Sequence, residues 1–416
     1  MSRRRSERIF KRNHRRVPNE ISSIIIETLT DNFPALHSLS LVCKDFAALA
    51  QPHIFREIDL VPKIGRRPKG RDSLIHRFAS LRNHSDVIKF TQRLHFSSDG
   101  ASWEEFCEMT CILDLLPALI SLSIDRPEYP VYQAIEASSI SGTLKQLHIS
   151  DPDLYSLHFL CFQRMLMSLT HLEVLAVFCL LGHTYTRALT LPSSLRVASF
   201  MGVNTDSLHA ISEGLDKAPL PLLRTLVLGP YSDSVGHVDW GGIGADCQVI
   251  YDVGYVLDEN DVGAFISSMS GMTTSRIMFI SSKSRLPTQF LSRIILQLPS
   301  FVREICITQT STVEPSYQFD PQQYQGEWAE LDSALIQRRE LGLLKRVCFR
   351  CTNFKDTCSP RHSIFGSEFL FGDYGPAEPL VEDRRILDHI ENLLPRSKDA
   401  GFLEVDRDTL FFEATM

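Results

Sequence analysis

No apolar run in this chain is long enough to cross a bilayer. The longest, LEVLAVFCLLG at 172–182, is about half of the roughly 20 residues that a helical span needs. The N-terminus has no apolar core of the signal-peptide kind. No export signal accompanies the ten cysteines, so they are expected to be reduced thiols in a cytoplasmic or nuclear protein. The motifs of common catalysts are missing as well. There is no Gly-x-Ser-x-Gly elbow, no His-Glu-x-x-His and no phosphate loop ending in Gly-Lys-Ser/Thr. WGGIGADC at 240–247 is glycine-rich, but it lacks the third position of a dinucleotide fingerprint, so it reads as a surface loop. Nothing here calls for a cofactor or marks an enzyme.

The chain has 416 residues, 44% of them hydrophobic and 22% charged. That is ample apolar material for a folded body, in two or three domains or one extended array. Charge is unevenly placed. Residues 1–18, MSRRRSERIFKRNHRRVP, carry a net +7 while the whole chain carries −7. Residues 1–16 read as a basic disordered arm. Such an arm is a solvated tail, a nuclear-import signal or a patch for polyanions. Its lack of an apolar face argues against a mitochondrial presequence, and the acidic body gives no reason to expect a nucleic-acid partner.

Helical spacing begins at Val17. Pro18, Asn19 and Glu20 open a helix, and Ile21, Ile24, Ile25 and Leu29 follow at steps of three and four. Asp31, Asn32 and Pro34 interrupt it. Leu36, Leu39, Val42, Cys43, Phe46, Leu49 and Ala50 then predict a second amphipathic helix with one apolar stripe. Pro52 is expected to begin a third short turn. Cys43 stands beside Lys44 and Asp45, but no histidine is placed to activate it, so it reads as part of the stripe. Three helices in about forty residues bury too little surface to stand alone. The unit must lean on a partner or on the rest of the chain.

These residues resemble an F-box: Val17-Pro18-x-Glu20-Ile21, then Ile24 and Leu29, then Leu41-Val42-Cys43-Lys44-x-Phe46, then Leu49 and Ile54-Phe55. The family's usual opening Leu-Pro is Val-Pro here. The continuation AQPHIFREIDL resembles the way F-boxes end in many basidiomycete proteins. The resemblance covers about a tenth of the chain. It implies docking onto a Skp-type adaptor and, through it, onto a cullin–RING ubiquitin ligase. The expected adaptor contacts are Val17, Pro18, Ile21, Leu29, Val42 and Phe46, with Lys44 at the rim. The plainer alternative is a helical cap for the next domain.

Beyond VPKIGRRPKGRD at 61–72, which reads as a linker, one signature recurs: an apolar residue, two variable ones, an apolar, a variable, an apolar. It appears as TQRLHF from 91, LISLSI from 119, LKQLHI from 144, LEVLAV from 172, LRVASF from 195 and LRTLVL from 223. It continues as QVIYDV from 248, SRIMFI from 275, VREICI from 302 and LKRVCF from 344. The steps resemble the leucine-rich-repeat period of about 20–29 residues. The asparagine of regular repeats is mostly missing, as in the irregular repeats of fungal F-box proteins. Helices are expected at 102–116, 153–169, 258–270 and 286–298. A longer one is expected within 321–342 and a last one at 382–394, with FLEV at 402–405 capping the end. A strand plus a helix cannot close a core alone, so the units must stack. The alternative is an α/β domain with uneven crossovers.

The expected fold class is thus α/β: a basic arm (1–16), an F-box (17–60), a linker with a first helix (61–88), and a leucine-rich-repeat-like solenoid with a parallel sheet and a C-terminal cap (89–416). Cys348, Cys351, Cys358 and His362 have a spacing usable for tetrahedral zinc. Strand alternation turns Cys348 and Cys351 to opposite faces, so scattered thiols are expected and no metal is assigned. The expected function is that of a non-catalytic substrate receptor, with an unidentified target protein held by the solenoid. Arg196, Arg224 and Trp240 are candidate exposed contacts, and no membrane partner is expected. The competing expectation is a scaffold, or a basic-armed nuclear binding protein, acting outside any ligase.

Overall fold

The computed structural model describes residues 19–30, 32–60, 88–97, 109, 111–152, 156–180, 188–230, 240–253, 262–263, 266–267, 269, 272–281, 288–311, 325–353 and 389–406. Among these residues three short helices come first: α1 (Asn19–Glu27), α2 (Phe33–Ser40) and α3 (Lys44–Ile54). Twelve strands follow in one sheet whose spatial order is the chain order, each parallel to the last. They are β1 (Glu57–Asp59), β2 (Arg93–Ser97), β3 (Ser121–Asp125), β4 (Gln146–Ser150), β5 (Val174–Phe178) and β6 (Val197–Val203). Next come β7 (Thr225–Pro230), β8 (Gln248–Asp252), β9 (Arg276–Ser281), β10 (Glu304–Ser311), β11 (Arg346–Asn353) and β12 (Leu403–Asp406). Helices return the chain between strands: α4 (Tyr129–Ala137), α5 (Ser156–Ser168), α6 (Thr205–Lys217), α7 (Thr288–Gln297), α8 (Gln325–Glu340) and the short α9 (Pro395–Asp399). This is a strand–helix solenoid with a continuous parallel sheet, as the repeat period predicts.

The register shows why the signature recurs. Ile58, Leu94, Leu122, Leu147, Leu175 and Ala198 lie side by side, followed by Leu226, Val249, Ile277, Ile305, Val347 and Leu403. Two residues on, Phe96, Ile124, Ile149, Val177, Phe200, Leu228, Tyr251, Phe279, Ile307 and Phe349 form a second buried row. Both rows join one apolar cluster running from Leu60 to Phe402, because period-two alternation sends them to the helix side of the sheet.

Two copies of the signature are out of phase with their sequence reading. Val249, not Tyr251, aligns with Leu226, and Ile277, not Met278, aligns with Val249. The cause is the first position of each unit. In the β9 unit the buried Thr274 stands there, and in the β8 unit the exposed Asp246, followed by the buried Cys247, where most other repeats have leucine. The Thr274 hydroxyl donates to the Cys247 carbonyl, linking the two units. Met278 therefore points to the opposite face, in a second small cluster with Ala176, Met201, Val227, Ile250 and Ile280.

Three consecutive strands end on a left-handed residue in the same repeat position: Arg126 (φ 49°), Asp151 (φ 48°) and Cys179 (φ 56°), with Gly202 (φ 63°) next in line. Each turn aims an amide at the following strand. Arg126 N–H donates to Ser150 O at 2.7 Å, Asp151 N–H to Phe178 O at 2.9 Å and Cys179 N–H to Met201 O at 2.8 Å. These bonds carry the ladder past the strand ends and offset the cost of left-handed backbone in residues with a Cβ.

α5, α7 and α8 lie within their expected segments, whereas α4 and α6 are additional. Of the segments 102–116, 258–270 and 382–394 only parts are described, and those parts are mostly helical. FLEV does more than cap: β12 pairs in register with β11. Likewise β1 lies inside the segment assigned to the helical unit and pairs with β2 across the 61–88 segment. The Arg338 side chain, on α8, is buried. Its two terminal nitrogens donate to the carbonyls of Ile295 and Leu298 (3.3 and 2.7 Å) and of Pro299 and Val302 (2.5 and 3.1 Å). One guanidinium thereby satisfies the acceptors left at the end of α7. Burial lowers its pKa from the usual arginine value.

Candidate docking face on the helical unit

The apparent second helix of the sequence is two helices. α2 ends at Ser40, and residues 41–43 form a break before α3 starts at Lys44. Asn32 caps α2 by accepting from Ala35 N–H at 3.1 Å. Cys43 occupies the N-cap position of α3 with extended backbone (φ −159°, ψ 168°), but its side chain makes no capping hydrogen bond. Pro52 does not begin a third turn; it lies in the last turn of α3.

The three helices close on a small core. Ile26, Leu36 and Ala50 are buried, and Leu29, Leu39, Phe46, Leu49 and Ile54 pack against them half-buried. Other large apolar side chains stay outside. On α1, Ile21, Ile24 and Ile25 project to solvent, with Ile24 58% exposed. Their spacing of three and four places them on one face, while Ser22 and Ile26 turn inward. Phe33 is exposed at the start of α2, and Leu41 and Val42 in the break are 75% and 67% exposed. Six of the twelve large exposed apolar residues among the described residues fall in this short unit. Such concentration makes this unit the candidate docking site, because single scattered apolar residues are the norm elsewhere.

The expected adaptor contacts separate into groups. Val17 and Pro18 lie outside the described residues. Ile21 and Val42 are open, and Lys44 is exposed at the first position of α3. Leu29 and Phe46 are half-buried on the small core. Phe33 is exposed as well without being among the residues expected to be so, because its position just after Asn32 carries no periodic signal. Ile24, Ile25 and Leu41 are visible in the sequence as apolar residues, but the pattern does not say which side they face.

The joint to the sheet is short. Only Phe55 and Arg56 separate α3 from β1. Arg56 O accepts from Gln92 and Arg93 N–H at 2.8 and 3.0 Å. Arg56 Nε donates to Gln92 Oε1 at 3.0 Å, and the Thr91 hydroxyl donates to Phe55 O at 3.1 Å.

The sheet face opposite the helices holds the other chemistry-bearing residues. Asp59, His95, Ser123 and His148 stand in one row across β1 to β4. These are the residue types of a nucleophilic triad, but the geometry is different. The two ring nitrogens of His95 face carboxylates, Nδ1 at 3.5 Å from Asp59 and Nε2 at 3.6 Å from Asp125, rather than Ser123. His148 is buried; desolvation first, and the nearby His95 second, push its pKa down to about 4. It is neutral at physiological pH. Further along the row, Ser199, Val227, Ile250 and Met278 are also buried, so these strand-side positions are closed to a partner. Arg196 and Arg224, at the N-terminal ends of β6 and β7, are exposed as expected. Trp240 is not: it is 1% exposed in the main cluster, because the turn at 240–247 folds its indole under the sheet before β8. A strand, not a helix, follows that turn, so the segment lacks the helix of a dinucleotide site.

Among the described residues no cluster of three or more His, Cys, Asp or Glu side chains is placed to hold a metal. Of the zinc spacing only Cys348 and Cys351 are described, both on β11; Cys358 and His362 lie outside. No helix among the described residues is long and apolar enough to cross a membrane. No family model matches the chain. No curated protein matches it.

Proposed function

We propose that this chain is the substrate-recognition subunit of an SCF-type cullin–RING ubiquitin ligase. The helical unit at 17–60 docks as an F-box on a Skp-type adaptor, and the solenoid holds the target protein. The observation that carries this reading is the six exposed large apolar side chains, Ile21, Ile24, Ile25, Phe33, Leu41 and Val42, on a unit with three buried apolar residues. The F-box-like order of residues supplies the kind of partner. The subunit performs no bond chemistry. It acts by raising the effective concentration of a target lysine near the charged conjugating enzyme. Target contacts fall on exposed positions such as Arg196 and Arg224 rather than on the closed middle of the sheet face.

The test is co-purification of the full chain with a recombinant Skp-type adaptor. Wild type forms a stable complex. Ile24→Asp with Val42→Asp, both on open positions, weakens it about 30-fold or more, the loss of two anchors of about 1 kcal/mol or more each, and leaves the circular dichroism unchanged. Phe46→Ala is the poorer probe because Phe46 also packs on the small core. No complex with wild type, or equal binding by the double variant, would sink the proposal and leave the scaffold reading standing. Deleting residues 1–16 separates an import signal (nuclear accumulation lost) from a polyanion-binding arm (only salt-sensitive binding lost).

A further inference from the structure

On the sheet face opposite the helices, Cys306 of β10 and Cys348 of β11 are direct register partners. Neighbouring parallel strands run about 4.8 Å apart, inside the Cα separation of about 4.4–6.8 Å that a disulfide accepts. Both side chains leave the sheet on the same side, because residues paired in register share a face. Cys306 Sγ lies 3.9 Å from Thr308 Oγ1, and Cys348 Sγ lies 4.0 Å from Phe349 O. Met278 is the next residue of the row, on β9. Cys306 is half-buried and Cys348 is buried, so the first is open to a small oxidant and the second is shielded from it. Arg346, one residue pair back on the same face of β11, holds Glu404 of β12, the register neighbour of Cys348 on its other side.

We propose that Cys306 and Cys348 form a reversible intrachain disulfide that ties β10 to β11. The oxidant class is a small-molecule disulfide such as glutathione disulfide. The Cys306 thiolate attacks one of its sulfurs; that S–S bond breaks, one thiolate leaves, and Cys306 carries a mixed disulfide. The Cys348 thiolate then attacks Cys306 Sγ, forming the Cys306–Cys348 bond and expelling the second small thiolate. Two electrons pass from the protein to the oxidant. The two protons lost by the cysteines end on the two released thiols. The closed loop spans α8, so the bond links the strands on either side of the longest helix among the described residues.

The test treats the full chain with glutathione disulfide, blocks remaining thiols with iodoacetamide and maps peptides without reduction. The expected result is a linked pair of peptides containing Cys306 and Cys348, lighter than their sum by two hydrogens and separated by dithiothreitol. Cys348→Ser converts this product into a Cys306 mixed disulfide with glutathione. Cys306→Ser leaves Cys348 alkylated after unfolding. The inference is overturned if both residues of the wild-type chain are recovered alkylated or singly glutathionylated while the exposed Cys43 and Cys111 are oxidised. It is equally overturned if Cys348 links instead to Cys351 or Cys358. The wild-type map decides the matter even if neither variant folds.

Discussion

Asp332 on α8 reaches across the chain to Ser397 and caps the helix that precedes the last strand. Its Oδ1 accepts from Ser397 N–H at 2.9 Å and from the Ser397 hydroxyl at 2.5 Å, and its Oδ2 accepts from Arg396 N–H at 3.0 Å. Asp332 and Ser397 are both buried. A carboxylate at a helix N-terminus satisfies orphan amides and meets the positive end of the dipole. Asp332→Ala should cost about 1–3 kcal/mol, the cost of leaving such donors without acceptors. Hydrogen exchange should show α9 and β12 opening before the middle of the sheet; equal protection in variant and wild type would count against this cap as the element holding the end of the array.

The same glycine-to-alanine change should act in opposite directions at two helical sites. A Cβ on Gly214, in α6, would collide with the carbonyl oxygen of Leu189. That carbonyl is backbone, held in place by the Leu189 N–H bond to Ala210 O, so it cannot swing aside. Gly214→Ala should lose about 1–3 kcal/mol through overpacking. Gly326, near the start of α8, has nothing within 4 Å of the corresponding position. Gly326→Ala should be neutral or stabilising by up to about 1 kcal/mol. Urea denaturation of the two variants side by side reads both signs.

His148 makes stability depend on acid. Its folded pKa, about 4, lies below the ordinary 6.5, so the unfolded chain binds the extra proton first. Stability from the neutral, buried ring is present above pH 6.5 and is lost as pH falls towards 4. The full effect is at most about 3.5 kcal/mol, because each tenfold loss of proton affinity on folding is worth roughly 1.4 kcal/mol. His148→Asn should flatten the slope of unfolding free energy over that window and leave it unchanged near pH 8. His95, Asp59 and Asp125 share this face and remain in the variant, so the comparison isolates the His148 ring.

Cys43 is an N-cap without a capping bond. Cys43→Ser places a hydroxyl where the extended backbone already suits one, and should stabilise the helical unit by about 0.5–1 kcal/mol. Thermal melts of the adaptor-free chain would show it. A loss of adaptor binding in this variant with unchanged fold would instead assign the thiol a direct contact.

Much of the solenoid is legible in the sequence because stacking forces the same slots on every unit. Leu94, Leu122, Leu147 and Leu175 announce their strands by spacing alone. The phase fails at β8 and β9, whose units open on Asp246 and Thr274 instead of leucine; Thr91 opens its unit in the same way, but there Leu94 and Phe96 alone carry the phase. α6 is hidden although Leu208, Ile211 and Leu215 follow helical steps, since its exposed face is strongly polar. In the helical unit, apolar spacing runs unbroken through Leu39, Val42, Cys43 and Phe46. A periodicity of three and four cannot register a turn that preserves it. Nor can it tell an inward isoleucine from an outward one on α1, where both faces are apolar. The joint of Phe55 and Arg56 is hidden because Glu57–Asp59 is too short to show alternation.

That joint has a mechanical consequence. A domain on a flexible tether samples a volume, and whatever it carries is smeared through it. Here the last helix of the helical unit runs within two residues into a strand hydrogen-bonded to its neighbour, which is the first rung of a twelve-rung ladder. Gripping the helical face therefore fixes the bearing of the whole array. Each added repeat translates its surface by one more strand spacing along a set direction, so the number of rungs becomes a ruler for how far from the grip a bound partner is held.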